Sequence, residues 1–128
     1  MTDLLLDTCG LIWLAQGGGE LSKTTIELID SANFVYVSSI SAWEIGILHA
    51  KNKIELPSSP EKWFNSFCEE QNIAPIDVSP HISFKANLLP WHHKDPADRL
   101  IISTAITKRL SIVTRDKLFP PYNVVLHG

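Results

Sequence analysis

Apolar runs of strand length alternate along this chain with segments whose apolar residues recur at helical spacing. The pattern predicts strands at 3–6, 34–37, 73–76, 111–114 and 123–126. Helices are predicted at 9–16, 22–32, 41–51, from Pro60 onward, 79–90 and 97–109. Such alternation is typical of βαβ units. It predicts an α/β fold in which helices cover both faces of a mainly parallel sheet of four or five strands.

Two details of this prediction concern burial. In the helix at 97–109, the apolar face is predicted to consist of Leu100, Ile101, Ala105 and Ile106. The two cysteines, Cys9 and Cys68, are too few for a disulfide framework, so both are expected to be buried or half-buried small apolar groups.

Length and composition narrow the class of protein. The 128 residues fit one domain over 1–128, and 45% hydrophobic with 20% charged residues indicates a globular chain. We expect a cytoplasmic protein without a membrane segment, because no apolar run is long enough and no basic leader precedes the first leucines. The net charge of −3 disfavours non-specific nucleic-acid binding, but it allows a nucleic-acid enzyme with local basic groups.

Four acidic residues border apolar stretches that should be buried: Asp7, Glu44, Asp98 and Asp116. Two of them follow the first and fourth predicted strands, and the other two lie in the first turns of predicted helices. The carboxyl ends of parallel strands share one edge of a sheet, where ligands bind. The sequence therefore predicts that these four carboxylates meet.

Each acid also has a purely structural explanation. Ser41 and Glu44 match a capping box, and Asp95 suits a helix cap with Asp98 in the first turn. The acids that follow strands could form turns. These explanations account for each residue separately, but they do not explain why acids recur at a single edge.

Close carboxylates repel one another unless a cation compensates them. Oxygen ligands suit Mg²⁺ or Mn²⁺ better than Zn²⁺, and the adjacent His92 and His93 are interpreted as surface or packing residues. Such a site supports metal-assisted hydrolysis of a phosphodiester. Five nearby residues are candidates for supporting the metal or contacting RNA: Thr8, Ser38, Thr114, Arg99 and Arg115.

Five segments, in order, then resemble a known family: Leu4-Leu5-Leu6-Asp7-Thr8, Val37-Ser38-Ser39, Trp43-Glu44-Ile45, His93-Lys94-Asp95-Pro96-Ala97-Asp98-Arg99-Leu100-Ile101 and Val113-Thr114-Arg115-Asp116. They resemble the PIN-domain ribonucleases, and more closely the VapC-type toxins of type II toxin–antitoxin systems. The likeness covers nearly the whole chain. It implies a three-layer α/β/α sandwich and a divalent-metal-dependent endoribonuclease.

The resemblance also implies ligands and partners. Mg²⁺ or Mn²⁺ would be bound by Asp7, Glu44, Asp98 and Asp116, with Asp95 as a further candidate that ranks behind Asp98. The substrate would be RNA, such as tRNA or rRNA. The toxin would form a homodimer and would be silenced by a cognate antitoxin protein whose tail enters the groove.

Two departures from the family pattern leave the RNA target open. Many relatives have Lys where this chain has Leu48, and Gly where it has Asn52.

Two other functions also stay open. A phospho-receiver-like signalling domain would use Asp77 and Thr114, and a catalytically silent PIN-fold binding module would use no metal.

Overall fold

Five parallel strands form one sheet in the computed structural model, which describes residues 3–128. The strands are β1 (Asp3–Leu6), β2 (Phe34–Ser38), β3 (Ile73–Ile76), β4 (Ser111–Val113) and β5 (Leu126–His127). Their spatial order is β3-β2-β1-β4-β5, and every neighbouring pair is parallel. The predicted parallel α/β sheet is confirmed.

Six helices connect the strands: α1 (Thr8–Ala15), α2 (Lys23–Ser31), α3 (Ser39–Ala50), α4 (Pro60–Glu70), α5 (Pro80–Asn87) and α6 (Pro96–Lys108). The serine hydroxyls of Ser22, Ser59 and Ser79 accept hydrogen bonds from the first turns of α2, α4 and α5. These caps satisfy amide groups that have no partner within a helix, which explains why the helices begin at these positions.

Alternate residues of β1 face the two layers of helices. Leu4 and Leu6 belong to a core that includes residues of α1 to α4, whereas Leu5 belongs to a second core with α6. All three leucines are fully buried, as the two-residue period of a strand covered on both faces requires. On the second face, Ser103 of α6 donates a hydrogen bond to the Ile82 carbonyl of α5. The expected three-layer α/β/α sandwich is therefore confirmed.

The connections place a switch point at the centre of the sheet. From β1 the chain adds β2 and then β3 on one side, and it then crosses back to add β4 on the other side of β1. The carboxyl ends of β1 and β4 flank the crevice that such a reversal creates. Asp7 and Asp116 lie just beyond these two ends.

The start of α3 differs from the prediction. The helix begins at Ser39, and the hydroxyl of Ser38 caps it by accepting from the Ile40 amide. Ser41 is fully buried inside the helix, so the predicted capping box of Ser41 and Glu44 is wrong. Ser38 and Ser41 are both candidate caps in the sequence, and the one nearer the strand, Ser38, is the cap.

Three other predictions need correction. Ile106 is 45% exposed because α6 turns Ile102 toward the sheet instead. Cys9 is exposed, whereas Cys68 is buried as expected. The last strand is Leu126–His127 and not 123–126, because Tyr122 packs in the core and the chain reaches the sheet only after it.

Within residues 3–128, no helix is long and apolar enough to cross a membrane.

Candidate metal centre

A cavity of about 450 Å³ opens at the carboxyl edge of the sheet. Its acidic lining residues come from four parts of the fold, namely the end of β1, α3, the start of α6 and the loop after β4: Asp7, Glu44, Asp95, Asp98 and Asp116. The structure thus places all five predicted acids around one space. The rest of the wall is largely apolar and includes Trp13, Trp43, Ile47 and Leu48.

Asp7 is the most deeply buried of the cavity's acids, with 5% of its surface exposed. Its Oδ1 accepts a hydrogen bond from the Gly10 amide at 2.6 Å, which caps α1. Its Oδ2 accepts from the Thr114 hydroxyl at 2.6 Å. A Cβ on Gly10 would lie 2.9 Å from Oδ1 and 3.1 Å from the Val113 carbonyl, so this position requires glycine for the close approach.

Glu44 is oriented by two hydroxyl groups. The Thr8 hydroxyl donates to Glu44 Oε1, and it lies 2.8 Å from the Ser41 hydroxyl. Because Thr8 has only one hydroxyl hydrogen, Ser41 donates to Thr8 in this chain of bonds. The sequence motif that suggested a cap therefore serves to orient the carboxylate.

Asp98 and Asp116 are joined through a histidine, His93, to which the sequence assigned no role at the acidic site. His93 Nε2 lies 3.0 Å from Oδ2 of Asp98 and 3.0 Å from Oδ2 of Asp116. The interpretation of His93 as a surface or packing residue is incomplete, because its ring is buried and also contacts the acidic site. Periodicity carries no signal for it, since it lies in a loop.

Asp95 caps α6, as its motif suggested. Its Oδ1 accepts from the amides of Ala97 at 2.9 Å and Asp98 at 3.2 Å. Pro96 occupies the first helical position, where a missing N–H is tolerated. Asp95 is exposed at the mouth of the cavity, so its carboxylate can still add negative charge to the site.

Burial and mutual repulsion disfavour the charged forms of these acids. Burial raises the pKa of Asp7 from 3.8 to about 6, against the opposing effect of the bonds from Thr114 and Gly10. Burial and the nearby Asp95 raise the pKa of Asp98 to about 7, although His93 opposes this rise. Burial also raises the pKa of Glu44. Perturbed carboxyl groups that share a cleft are typical of functional sites.

The other predicted site residues differ in what they contact. Thr8 and Thr114 hydrogen-bond to the acids, and Thr114 Oγ1 also accepts from the Asp116 amide at 3.1 Å. Ser38 is buried and caps α3. Arg115 is exposed at the cavity wall, where it donates to the Glu20 carbonyl.

Arg99 requires a correction. Its guanidinium is buried and donates to four carbonyl oxygens, that of Ala86 in the last turn of α5 and those of Leu89, Pro90 and His93 in the loop before α6. The face of Trp91 covers the guanidinium at 3.6 Å. A group enclosed in this way cannot contact RNA, so the predicted RNA contact is wrong and Arg99 instead anchors this loop.

The donor set fits a hard divalent cation. Carboxylate oxygens from four elements surround one open cavity, and among residues 3–128 no Lys or Arg forms an ion pair with any of them. A cation would offset the burial of charge and the mutual repulsion that raise the pKa values of Asp7, Glu44 and Asp98. Mg²⁺ and Mn²⁺ both prefer oxygen ligands and keep some of their waters, which an open site allows.

Comparison with known proteins adds an independent finding. The family profile of the PIN domain matches residues 4–123. Ribonuclease VapC22 of Mycobacterium tuberculosis (strain ATCC 25618 / H37Rv) is 30% identical over 118 residues, which cover 91% of this chain and 89% of the relative.

Two solved structures resemble the fold. VapBC2 from Rickettsia felis, bound to a DNA fragment from its promoter, superposes with a TM-score of 0.73 at 20% identity, covering 98% of each chain. DNA-bound VapBC from Salmonella typhimurium superposes with a TM-score of 0.70 at 16% identity, covering 99% of this chain and 98% of that one. At these identities the likeness concerns the fold.

Proposed function

The chain belongs to the PIN-domain family, and from that membership we propose that it is a divalent-metal-dependent endoribonuclease, the toxin of a toxin–antitoxin pair. Its relative is named a ribonuclease, and its structural neighbours are VapBC assemblies. One observation carries the catalytic part of the proposal: Asp7, Glu44, Asp98 and Asp116 line a single cavity.

The four carboxylates would hold Mg²⁺ or Mn²⁺. A bound cation would make water a stronger nucleophile and would stabilise the charge that develops on the phosphodiester during hydrolysis. The protein's own contribution is to keep its ligands in place. Thr114 fixes Asp7, Thr8 fixes Glu44 and His93 spans the other two acids, so little reorganisation is needed when substrate arrives.

RNA is the proposed substrate, with tRNA or rRNA as the class that the family resemblance suggests. Arg115 lies at the cavity wall, where its guanidinium could contact a backbone phosphate. Trp43 lines the same cavity and is 61% exposed, and an exposed aromatic ring offers a stacking surface for an unpaired base. These two residues support a single-stranded segment of RNA as the part that is cut.

The receiver alternative conflicts with the topology. Receiver domains have the strand order 2-1-3-4-5, in which β3 adjoins β1, whereas here β3 lies at the edge beyond β2. Asp77, which such a domain would phosphorylate, follows that edge strand and does not line the acidic cavity. The geometry favours the nuclease.

A cognate antitoxin protein is the proposed partner, since the neighbouring structures are toxin–antitoxin complexes. We also propose that the toxin forms a homodimer. Phe84 of α5 and Leu88, which caps the end of this helix, have 72% and 76% of their surfaces exposed, which is apolar area that a second subunit could cover. Light scattering of the parent and of Leu88→Glu tests this: a dimeric parent and a monomeric variant are expected, whereas a monomeric parent would contradict the homodimer.

Metal removal and reconstitution test the activity. Protein purified free of antitoxin is treated with a chelator, and cleavage of total RNA is followed before and after adding Mg²⁺ or Mn²⁺. Cleavage should disappear with the chelator and return with either ion. Cleavage that persists without any divalent cation would refute the proposal.

Growth provides the test of the toxin role. Induced expression of the chain should slow growth, and co-expression of the small protein encoded beside it should restore growth. Strong expression without any growth defect, from protein that is active on RNA in vitro, would contradict the toxin role while leaving the nuclease activity intact.

A further inference from the structure

The loop that precedes α6 is held in place by two buried side chains. Arg99 donates to three of its carbonyl oxygens, and it also donates to the Ala86 carbonyl at the end of α5. The Tyr122 hydroxyl accepts from the His93 amide at 2.8 Å and donates to the Pro90 carbonyl at 2.7 Å. Both anchors lie outside the acidic cavity, and both fix the backbone at or near His93. The loop therefore presents this one side chain in a defined position.

The hydrogen bonds of the His93 ring determine where its proton lies. Nδ1 accepts a hydrogen bond from the Asp95 amide at 3.2 Å, so Nδ1 has no proton of its own. The neutral ring then bears its hydrogen on Nε2, which faces Asp98 and Asp116 at 3.0 Å each. The edge-to-face contact with Phe119 keeps the ring in this orientation.

A different role would be that of a metal ligand. One ligand atom from each of His93, Asp98 and Asp116 lies within 4.8 Å of the others, which is close enough for a shared ion. To bind metal, however, Nε2 would have to lose its hydrogen, and the neutral ring would then have to bear one on Nδ1. That hydrogen would face the Asp95 amide, donor against donor, at the residue that caps α6.

We propose that His93 is a positioning residue that donates its Nε2 hydrogen to Asp98 and Asp116 and holds these two carboxylates side by side for the cation without ligating it. The inference rests on the cation site of the proposed function. Asp98 belongs to α6 and Asp116 to the loop after β4. Within residues 3–128, the one other hydrogen bond to either carboxylate is donated by the Leu118 amide to Asp116 Oδ1. His93 is the side chain that links the two.

The tautomer of His93 in the presence of Mg²⁺ tests the proposal directly. Protein with ¹⁵N-labelled histidine is examined by two-bond nitrogen–proton correlation, and the His93 signals are identified by their loss in His93→Gln. The Nε2–H tautomer is expected both without and with saturating Mg²⁺. A change to the Nδ1–H tautomer on Mg²⁺ addition would show that His93 is a ligand and would overturn the proposal.

Metal affinity provides the second measurement. His93→Phe keeps a ring against Phe119 but has no donor, and it should weaken Mn²⁺ binding in calorimetry roughly 10- to 100-fold. His93→Gln keeps a donor and should lose less affinity, and His81→Gln, on the exposed surface of α5, should bind as the parent does. Parent-like affinity of folded His93→Phe would overturn the proposal.

The outcomes separate this inference from the function on which it rests. A parent protein that binds no Mn²⁺ contradicts the cation site itself. A parent that binds Mn²⁺ but changes its His93 tautomer with Mg²⁺ contradicts only the positioning role. If His93→Phe does not fold, the tautomer of the parent protein still decides.

Discussion

The Thr114 hydroxyl donates a hydrogen bond to Asp7 across 2.6 Å and thereby joins the residues that follow two neighbouring strands, β4 and β1. The same hydroxyl oxygen accepts from the Asp116 amide, so a single side chain orients acids on both sides of the switch point. Hydrogen bonds to residues that bind metal commonly contribute 10- to 100-fold to metal affinity.

Replacing Thr114 by Val should therefore weaken Mn²⁺ binding by roughly 10- to 100-fold, because Asp7 loses the bond that favours its charged form. Calorimetric titration at pH 8 measures the change. Thr24→Val, on the exposed surface of α2, removes a hydroxyl away from the cavity and should have no effect. An equal loss in both variants would contradict the role of Thr114.

Metal affinity should fall as the pH falls. Asp7 and Asp98 have pKa values raised to about 6 and about 7, so protons compete with the cation in the range where ordinary carboxyl groups are already charged. We expect the Mn²⁺ dissociation constant to rise at least about tenfold per pH unit below pH 6. An affinity that stays constant from pH 8 to pH 5.5 would contradict the raised pKa values.

The metal-free protein should lose stability as the pH rises. The pKa of Asp7 is higher in the folded state than its ordinary 3.8, so the folded state binds this proton more tightly than the unfolded state does. The resulting stabilisation is complete below about pH 4 and is lost as the pH rises through about 6.

Asp7→Asn removes the buried negative charge while keeping the shape of the side chain. In chelator at pH 8, the variant should raise the free energy of unfolding in urea by roughly 1–3 kcal/mol, and at pH 4 the two proteins should differ little. A variant that is less stable than the parent at pH 8 would show that Asp7 is not destabilised by its charge.

Two glycines provide a matched comparison of packing. A Cβ at Gly10 would lie 2.9 Å from Asp7 Oδ1 and 3.1 Å from a backbone carbonyl, whereas a Cβ at Gly46 in α3 would meet nothing within 4 Å. Gly10→Ala should cost about 1–3 kcal/mol of stability and should also weaken Mn²⁺ binding, because Asp7 must move. Gly46→Ala should be neutral or stabilising by up to about 1 kcal/mol. Similar effects of the two substitutions in urea unfolding would contradict the close packing at Gly10.

Local signals account for most of what the sequence predicted correctly. The β1 leucines indicate a buried strand, and Asp95-Pro96 indicates the start of α6 to within one residue. The start of α3 was misplaced because Ser38 and Ser41 are equally good caps in sequence, and only the end of β2 decides between them. Local pattern specifies an element better than it specifies its boundary.

The candidate site shows the same division. That acids following parallel strands would share an edge could be inferred from topology, but the partners that orient them could not. His93 depends on Tyr122, 29 residues away. Arg99 is buried by its hydrogen bonds to carbonyls of a loop whose path the sequence does not reveal. Such roles arise from tertiary contacts between distant segments.

Cleavage of a defined single-stranded RNA by Asp98→Asn, compared with the parent and with Asp77→Asn, tests the central claim most directly. Both variants replace an acid by its amide near the same edge of the sheet, but only Asp98 lines the cavity. With saturating Mn²⁺ under single-turnover conditions, we expect Asp98→Asn to cut at least about 100-fold more slowly than the parent and Asp77→Asn to cut at the parental rate. Equal rates for the parent and a folded Asp98→Asn would contradict the account.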